Sequence, residues 1–315
     1  MEKENQLSPA VSKQANKRLT NYRKAEKFKD FLCVAPSLLF LFVLTYYPVF
    51  NSFYISLTDW NLLKSTKHFK GFDNYKWLFA GTGWDTFKDS IRVTFEYTFL
   101  EVLIAIVIGI LLAALFNNMS KSFSIMRSIV FMPHYIAMST GAVIFTWILN
   151  TDFGILNIFL EKLGFAKIEW LNSSKNALFA IVMLTGWKAV GYTMMIFLSG
   201  IRGIPVDYYE AASLDGAGLF KQFTSITLPL LSPTTLFIFV TTFIDSMKVF
   251  QSVEVMTNGG PLNATKVIVY WIYELGFVDY KTGRASAVVV LFFLFLLLFT
   301  ALTMRVTNKN VHYEG

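Results

Sequence analysis

Residues 285–304, ASAVVVLFFLFLLLFTALTM, run for 20 positions without a charged side chain. A helix rises about 1.5 Å per residue, so this length matches a hydrocarbon core of about 30 Å. The apolar residues occupy consecutive positions instead of alternating or marking one helical face, which excludes a half-buried strand and a surface helix. In lipid every backbone polar group must be satisfied within its own segment, so the stretch is a membrane-spanning helix. The whole chain agrees. Of 315 residues, 54% are hydrophobic and 16% charged, against roughly 25% charged in a soluble domain.

Working outward, five more segments have this character. Residues 31–57 and 128–151 carry no charge, 91–118 tolerates Glu96 and Glu101, and 176–201 is interrupted only by Lys188. Residues 234–256 carry Asp245, Lys248 and Glu254 and are the least lipid-like. The expected class is all-α, a polytopic protein with six transmembrane helices over 31–306. Ahead of it, residues 1–30 hold Lys3, Lys13, Lys17, Arg18, Arg23, Lys24, Lys27 and Lys29. The apolar run that follows is too long for a signal-peptide core and lacks a cleavage site, so it reads as an uncleaved anchor. The positive tail places the N-terminus in the cytoplasm. Six crossings return the 307–315 tail to the same side. The net charge of +7 is explained by Lys and Arg flanking apolar runs, not by nucleic-acid binding. A single cysteine, Cys33, excludes an intramolecular disulfide framework and a cysteine-built zinc site.

Between the fourth and fifth spans lies 202–233, RGIPVDYYEAASLDGAGLFKQFTSITLPLLSP. It is too long for a turn and too polar to cross. Tyr208–Leu214 favours helix, Gly216 and Gly218 permit a sharp bend, and Leu219–Ile226 resumes the helix until Pro229 and Pro233 interrupt it. Glu210-Ala211-Ala212, three residues, Gly216, nine residues, Ile226, one residue and Leu228-Pro229 resemble the cytoplasmic signature loop of binding-protein-dependent ABC importer permeases. Asp215-Gly216-Ala217, with Phe223 ahead of Ile226, further resembles the carbohydrate branch, the maltose and glycerol-3-phosphate type. Agreement extends from about Asp30 to Arg305, including Arg127-Ser128, Phe131-Met132-Pro133, Asp152 to Asn157, Trp170-Leu171 and Thr257 to Pro261. One departure is Val93-Thr94, where the second span of such permeases often opens with Asn-Thr.

The resemblance implies that 202–233 is a coupling loop docking on a cytoplasmic ATPase subunit through Glu210, Ala211, Ala212, Asp215 and Gly216, with Ile226, Leu228 and Pro229 packing it against its own bundle. It implies a second homologous permease, two ATPase subunits, an extracytoplasmic solute-binding protein, and residence in a bacterial or archaeal cytoplasmic membrane. The small side chains of Ala211 and Ala212 permit close helix approach, and Glu210 offers charge-assisted hydrogen bonds to a basic partner. The chain has no phosphate-binding loop of the G-x-x-x-x-G-K-[ST] type and no metal-ligand spacing among His68, His134 and His312. It is therefore expected to be non-catalytic and to bind no cofactor itself, with ATP and Mg on the partner.

Ionisable residues inside spans usually face a wet cavity. Steps of about 100° put Thr241, Asp245, Lys248 and Ser252 within about 60° of one another on a single helix. Thr185, Lys188, Tyr192, Met195 and Ser199 share a face of the fourth span. These, with Trp187 and Gln251, are the candidate path. Asp245 and Lys248, three apart, could equally neutralise each other. Glu101 needs a partner, with Lys188 or Lys248 as candidates, while the last span's Phe292, Phe293, Phe295 and Phe299 read as lipid-facing bulk. On the outer side, 58–90 with Trp60, Trp77 and Trp84 is long enough to form a small cap, and Asn258-Gly259-Gly260-Pro261 reads as a tight turn; the resemblance implies that the delivering protein docks on these loops. Two rival classes are an ion-coupled secondary transporter using Asp245 and Glu101, though no internal repeat is convincing, and a non-transporting scaffold or sensor.

Overall fold

The computed structural model describes residues 26–27, 29–118 and 120–310, with side chains as far as Arg305. Most of the basic tail, Lys3 to Lys24, and residues 311–315 lie outside the described residues. Helix α1, Lys29–Ser56, belongs almost wholly to a separate unit ending at Ile55. Its Pro48 follows a π-turn at Phe42–Tyr46, in which the Tyr47 amide reaches back to the Phe42 carbonyl. A wider turn of this kind makes room for a ring that would otherwise strike the preceding turn.

The second unit, Ser56–Gly315, holds α2 (Asp73–Ala80), α3 (Trp84–Leu115), α4 (Lys121–Tyr135), α5 (Met138–Ile148) and α6 (Ile155–Lys162). It continues with α7 (Ala177–Arg202), α8 (Val206–Leu214), α9 (Leu219–Leu230) and α10 (Ser232–Met247). Last come α11 (Gln251–Met256), α12 (Ile268–Val278) and α13 (Thr282–Asn310). Four helices, α1, α3, α7 and α13, are long and apolar enough to cross a membrane alone, and the bent pairs α4–α5 and α9–α10 bring the number to six.

Several boundaries differ from the sequence reading. Helix α3 starts two turns ahead of residue 91, because Asp85–Lys88, Asp89–Arg92 and Arg92–Glu96 pair along its polar first turns. The span expected over 128–151 is broken: α4 and α5 meet at 102°. The break falls where Met132–Tyr135 tightens to a 3-10 turn around Pro133, which donates no backbone hydrogen bond. Residues 234–256 are not one helix either. Helix α10 ends at Met247, the Lys248 amide closes on the Asp245 carbonyl at 3.2 Å, and α11 begins afresh at Gln251. Pro229 does not end its helix, since the π-turn Phe223–Thr227 precedes it as Phe42–Tyr46 precedes Pro48. The chain bends instead by 63° after Leu230. Helix α12 is an apolar helix that the sequence reading did not anticipate.

The core forms where α3 and α7 pack along their length. Thr193 donates to the Ala105 carbonyl at 3.0 Å, and Thr185 reaches Glu101 at 2.7 Å. Both helices therefore run in the same direction, in register. Small residues allow the approach. A Cβ at Gly109 would strike Thr193, one at Gly191 would strike the Val130 carbonyl of α4, and one at Gly200 would strike Leu231 and Thr234. Val93 is buried, and Thr94 accepts the Ile268 amide at the start of α12, at 2.9 Å. In α13, Phe299 stacks on Phe243 with centroids 4.0 Å apart, and Phe292 packs against the cluster around Trp271 and Ala285. These two are turned inward and are not lipid-facing bulk, whereas Phe293 and Phe295 are more exposed.

Candidate functional site

A cavity of about 820 Å³ opens between α3, α7 and the end of α10, within the range of about 300–1,000 Å³ usual for small-molecule sites. Thr185, Lys188, Tyr192, Thr241, Asp245, Lys248, Gln251 and Ser252 all line it. The single-helix stripe is replaced by a wall built from two helices, because the chain turns at Val249–Phe250 and brings α11 back to the same space. Tyr97, Glu101, His134, Thr242 and Ser246 add further polar groups to the lining. Thr242 and Ser246 lie one position beyond Thr241 and Asp245, outside the narrow stripe that the helical wheel selects. His134 carried no signal except its place beside Pro133. Its ring stacks on Tyr192 at 5.0 Å and on Phe131 at 5.5 Å, giving the cavity an aromatic edge. Trp187 does not contribute; its ring lies 5.4 Å from Phe145. Met195 and Ser199 line a separate crevice with Phe131 and Phe237.

The charged groups are disposed unevenly. Lys248 pairs with Asp245 at 3.0 Å, both side chains more than half exposed. Lys188 is buried, and its ammonium donates to the backbone carbonyls of Pro133 at 3.1 Å, His134 at 3.3 Å and Ile136. These carbonyls lie at the break between α4 and α5, where that of Pro133 also accepts the Ile136 amide at 3.1 Å, and an ammonium with three donors is suited to them. Lys188 thus fastens a helix break to α7. Glu101 is not its partner, nor that of Lys248: one carboxyl oxygen of Glu101 accepts the Thr185 hydroxyl at 2.7 Å.

The loop after α7 forms the second candidate region. Helix α8 ends on Gly216, whose φ of +76° is left-handed. The Ala217 amide reaches the Ala212 carbonyl at 2.9 Å and the Gly216 amide the Ser213 carbonyl at 3.1 Å, a Schellman cap. This explains why a glycine stands four residues after Ala212. Gln222 then binds the Ala217 carbonyl and the Ser213 hydroxyl, and Tyr209 pairs with Thr227 at 2.9 Å, tying α8 to α9. Glu210, Ala211, Asp215 and Gly216 are exposed and Ala212 half-buried. Around them Leu214 is 90% exposed, Leu219 86% and Phe220 81%. Ile226 is half-buried, but Leu228 and Pro229 are exposed, so these two do not pack the loop onto its own bundle. Thr227 and Leu231 fill that role.

The model of the family described as "Binding-protein-dependent transport system inner membrane component" matches residues 105–311, from the last third of α3 to the end of α13. The chain belongs to this family. It is an importer permease, a multi-pass membrane subunit. The permease is 34% identical over 288 residues to the trehalose/maltose transport system permease protein MalF of Thermococcus litoralis, covering 90% of this chain and 95% of the relative. It is 28% identical over 290 residues to the sn-glycerol-3-phosphate transport system permease protein UgpA of Agrobacterium fabrum, covering 91% and 97%. In fold it is similar to a chain of the bacterial alginate ABC transporter solved in complex with an alginate pentasaccharide-bound periplasmic protein. The TM-score is 0.78 at 21% identity, over 90% of this chain and 96% of that one.

In this permease the Asn258–Pro261 segment is a turn held from within. The Gly260 amide closes on the Thr257 carbonyl at 2.9 Å, and Thr265 donates to the Gly260 carbonyl at 2.7 Å. Gly259, at φ +75°, sits against the Tyr270 ring with no room for a Cβ. Beside it Lys266 and Glu274 form an ion pair of 2.7 Å. The 58–90 segment folds as α2 and the first turns of α3. Arg284 lies over the Trp77 ring and Lys67 over that of Trp60, at 4.5 and 3.8 Å. Among the described residues no group of His, Cys, Asp and Glu is arranged to hold a metal ion.

Proposed function

We propose that this permease forms half of the translocation pathway of an ATP-driven importer for a sugar, an oligosaccharide or a related polyol phosphate. The observation that carries the reading is the cavity, which collects hydroxyls, an amide, an aromatic edge and charged groups from separate helices. The permeases named for trehalose/maltose and for sn-glycerol-3-phosphate, similar along nearly the whole chain, support the solute class. A second, homologous permease completes the pathway. The exposed α8–α9 loop, with Glu210, Ala211, Ala212, Asp215 and Gly216 framed by Leu214, Leu219 and Phe220, docks on one of two ATPase subunits, which hold ATP and Mg. A solute-binding protein is received on the opposite face near Gly259, Gly260 and Pro261. Both termini are cytoplasmic. Closure of the ATPase pair moves α8 and α9, and the bend into α10 carries that movement to the cavity wall, which alternates between its two openings.

The test is made in cells carrying the whole transporter. Glu210→Ala and Gly216→Pro are each assayed for co-purification of the ATPase and for solute uptake. Loss of both properties is expected. Wild-type assembly and uptake in the two variants would remove the docking role.

A further inference from the structure

We infer that Glu101 is a specificity-determining residue of the pathway, accepting a hydroxyl of a neutral sugar and keeping phosphorylated solutes out. The inference rests on the carbohydrate reading above and narrows it. Glu101 is 5% exposed, halfway along α3, and lines the cavity. Among the described residues its carboxyl has one hydrogen bond, from Thr185 to Oε2. No hydrogen bond to Oε1 is seen among the described residues, and the residue lines the cavity. A carboxylate has about four lone-pair sites, and in a low-dielectric wall the unused ones are a strong demand for a donor. A sugar hydroxyl supplies one.

The surrounding charges decide against phosphate. Lys188 directs its donors to the Pro133, His134 and Ile136 carbonyls, and Lys248 is held by Asp245. Lys248 is paired in charge by Asp245, and the three donors of Lys188 are taken up by carbonyls, so neither offers a free ammonium hydrogen to a phosphate oxygen. The Glu101 carboxyl oxygen is an acceptor, and it offers no donor to the acceptor oxygens of a phosphate. A neutral polyol brings hydroxyl donors of its own and meets both the cavity hydroxyls and the carboxyl oxygen.

The experiment measures uptake by the assembled transporter with trehalose and maltose as neutral probes and sn-glycerol 3-phosphate as the anionic one. The binding protein is the same for all variants, so a change in preference reports the permease. The wild type is expected to import a neutral probe in preference. Glu101→Gln, whose amide is a weaker acceptor and adds an N–H donor that a phosphate oxygen can take, is expected to lower the neutral-over-phosphate ratio of kcat/KM by about tenfold. A purely structural role would depress both probes alike. Glu101→Asp keeps the charge but withdraws the oxygen. It should lower neutral import about tenfold while phosphate stays excluded, and it decides the matter if the glutamine variant does not assemble. A ratio unchanged in Glu101→Gln, neutral import unchanged in Glu101→Asp, or preferential import of the phosphate by the wild type overturns the inference while the carbohydrate reading stands. Import of no probe by the wild type overturns both.

Discussion

A lysine in an apolar helix invites the reading that it meets the solute, and Lys188 shows where that reading stops. Its ammonium is directed to three carbonyls at the α4–α5 break, so its removal is expected to loosen the bundle more than to alter selectivity. Lys188→Met removes the donor shared by the His134 and Ile136 carbonyls, while the Pro133 carbonyl keeps the Ile136 amide, at a cost of about 1–3 kcal/mol. A lowered Tm of the detergent-purified complex would show it. Lys188→Arg, which keeps several donors, should recover most of the loss, and a Met variant as stable as wild type would reject the capping role. The position of Lys188 on the cavity wall was legible because polar groups in spans have few other places to go. Its partners were not. They become available only because the chain breaks at Pro133, 55 residues earlier, and no helical periodicity reports that. Glu101 carries the same lesson: a cation was the obvious partner, and a threonine hydroxyl on the parallel helix took its place.

Among elements, α8 was the most legible and the two broken spans the least. The spacing from Glu210 to Gly216 amounts to a helix and its cap, so the sequence motif and the backbone geometry are one statement. Gly216→Ala must place a Cβ at a φ of +76°, at a cost of about 1–2 kcal/mol, and is expected to weaken ATPase co-purification. Gly216→Asn, which tolerates the left-handed region, should retain it, and equal loss in the two would show that the backbone conformation is not the cause. On α7, Gly191→Ala would drive a methyl into the Val130 carbonyl of α4. A cost of about 1–3 kcal/mol is expected, read as a lower Tm. The breaks were hidden for a physical reason: 128–151 is apolar through its bend, and in 234–256 the charges at Asp245 and Lys248, which flank the break, fit equally well on one face of an unbroken helix. Proline position did not resolve them either. Pro133 sits at a break, whereas Pro48 and Pro229 are absorbed by π-turns that leave the helix running.

For the whole molecule the parallel register of α3 and α7 fixes more than the core. Thr193–Ala105 and Thr185–Glu101 align the two helices head to head, so the segments after Leu115 and after Arg202 emerge at the same end of the bundle. With a cytoplasmic N-terminus that end is the inner one, and the α8–α9 loop lies where an ATPase can reach it. The opposite assignment would put Leu214, Leu219 and Phe220, all more than 80% exposed, on the outer face, away from any nucleotide. Cysteine labelling separates the two. Cys33→Ser removes the one native thiol. Lys121→Cys, at the start of α4, and Lys64→Cys, between α1 and α2, then give single exposed positions for opposite faces. A membrane-impermeant maleimide applied to intact cells is expected to label the Lys64→Cys protein at once and the Lys121→Cys protein only after permeabilisation. The reverse pattern would invert the topology and with it the docking face. Labelling of both in intact cells would mean that the segment after Leu115 is not cytoplasmic, and the shared end would then place the α8–α9 loop outside as well.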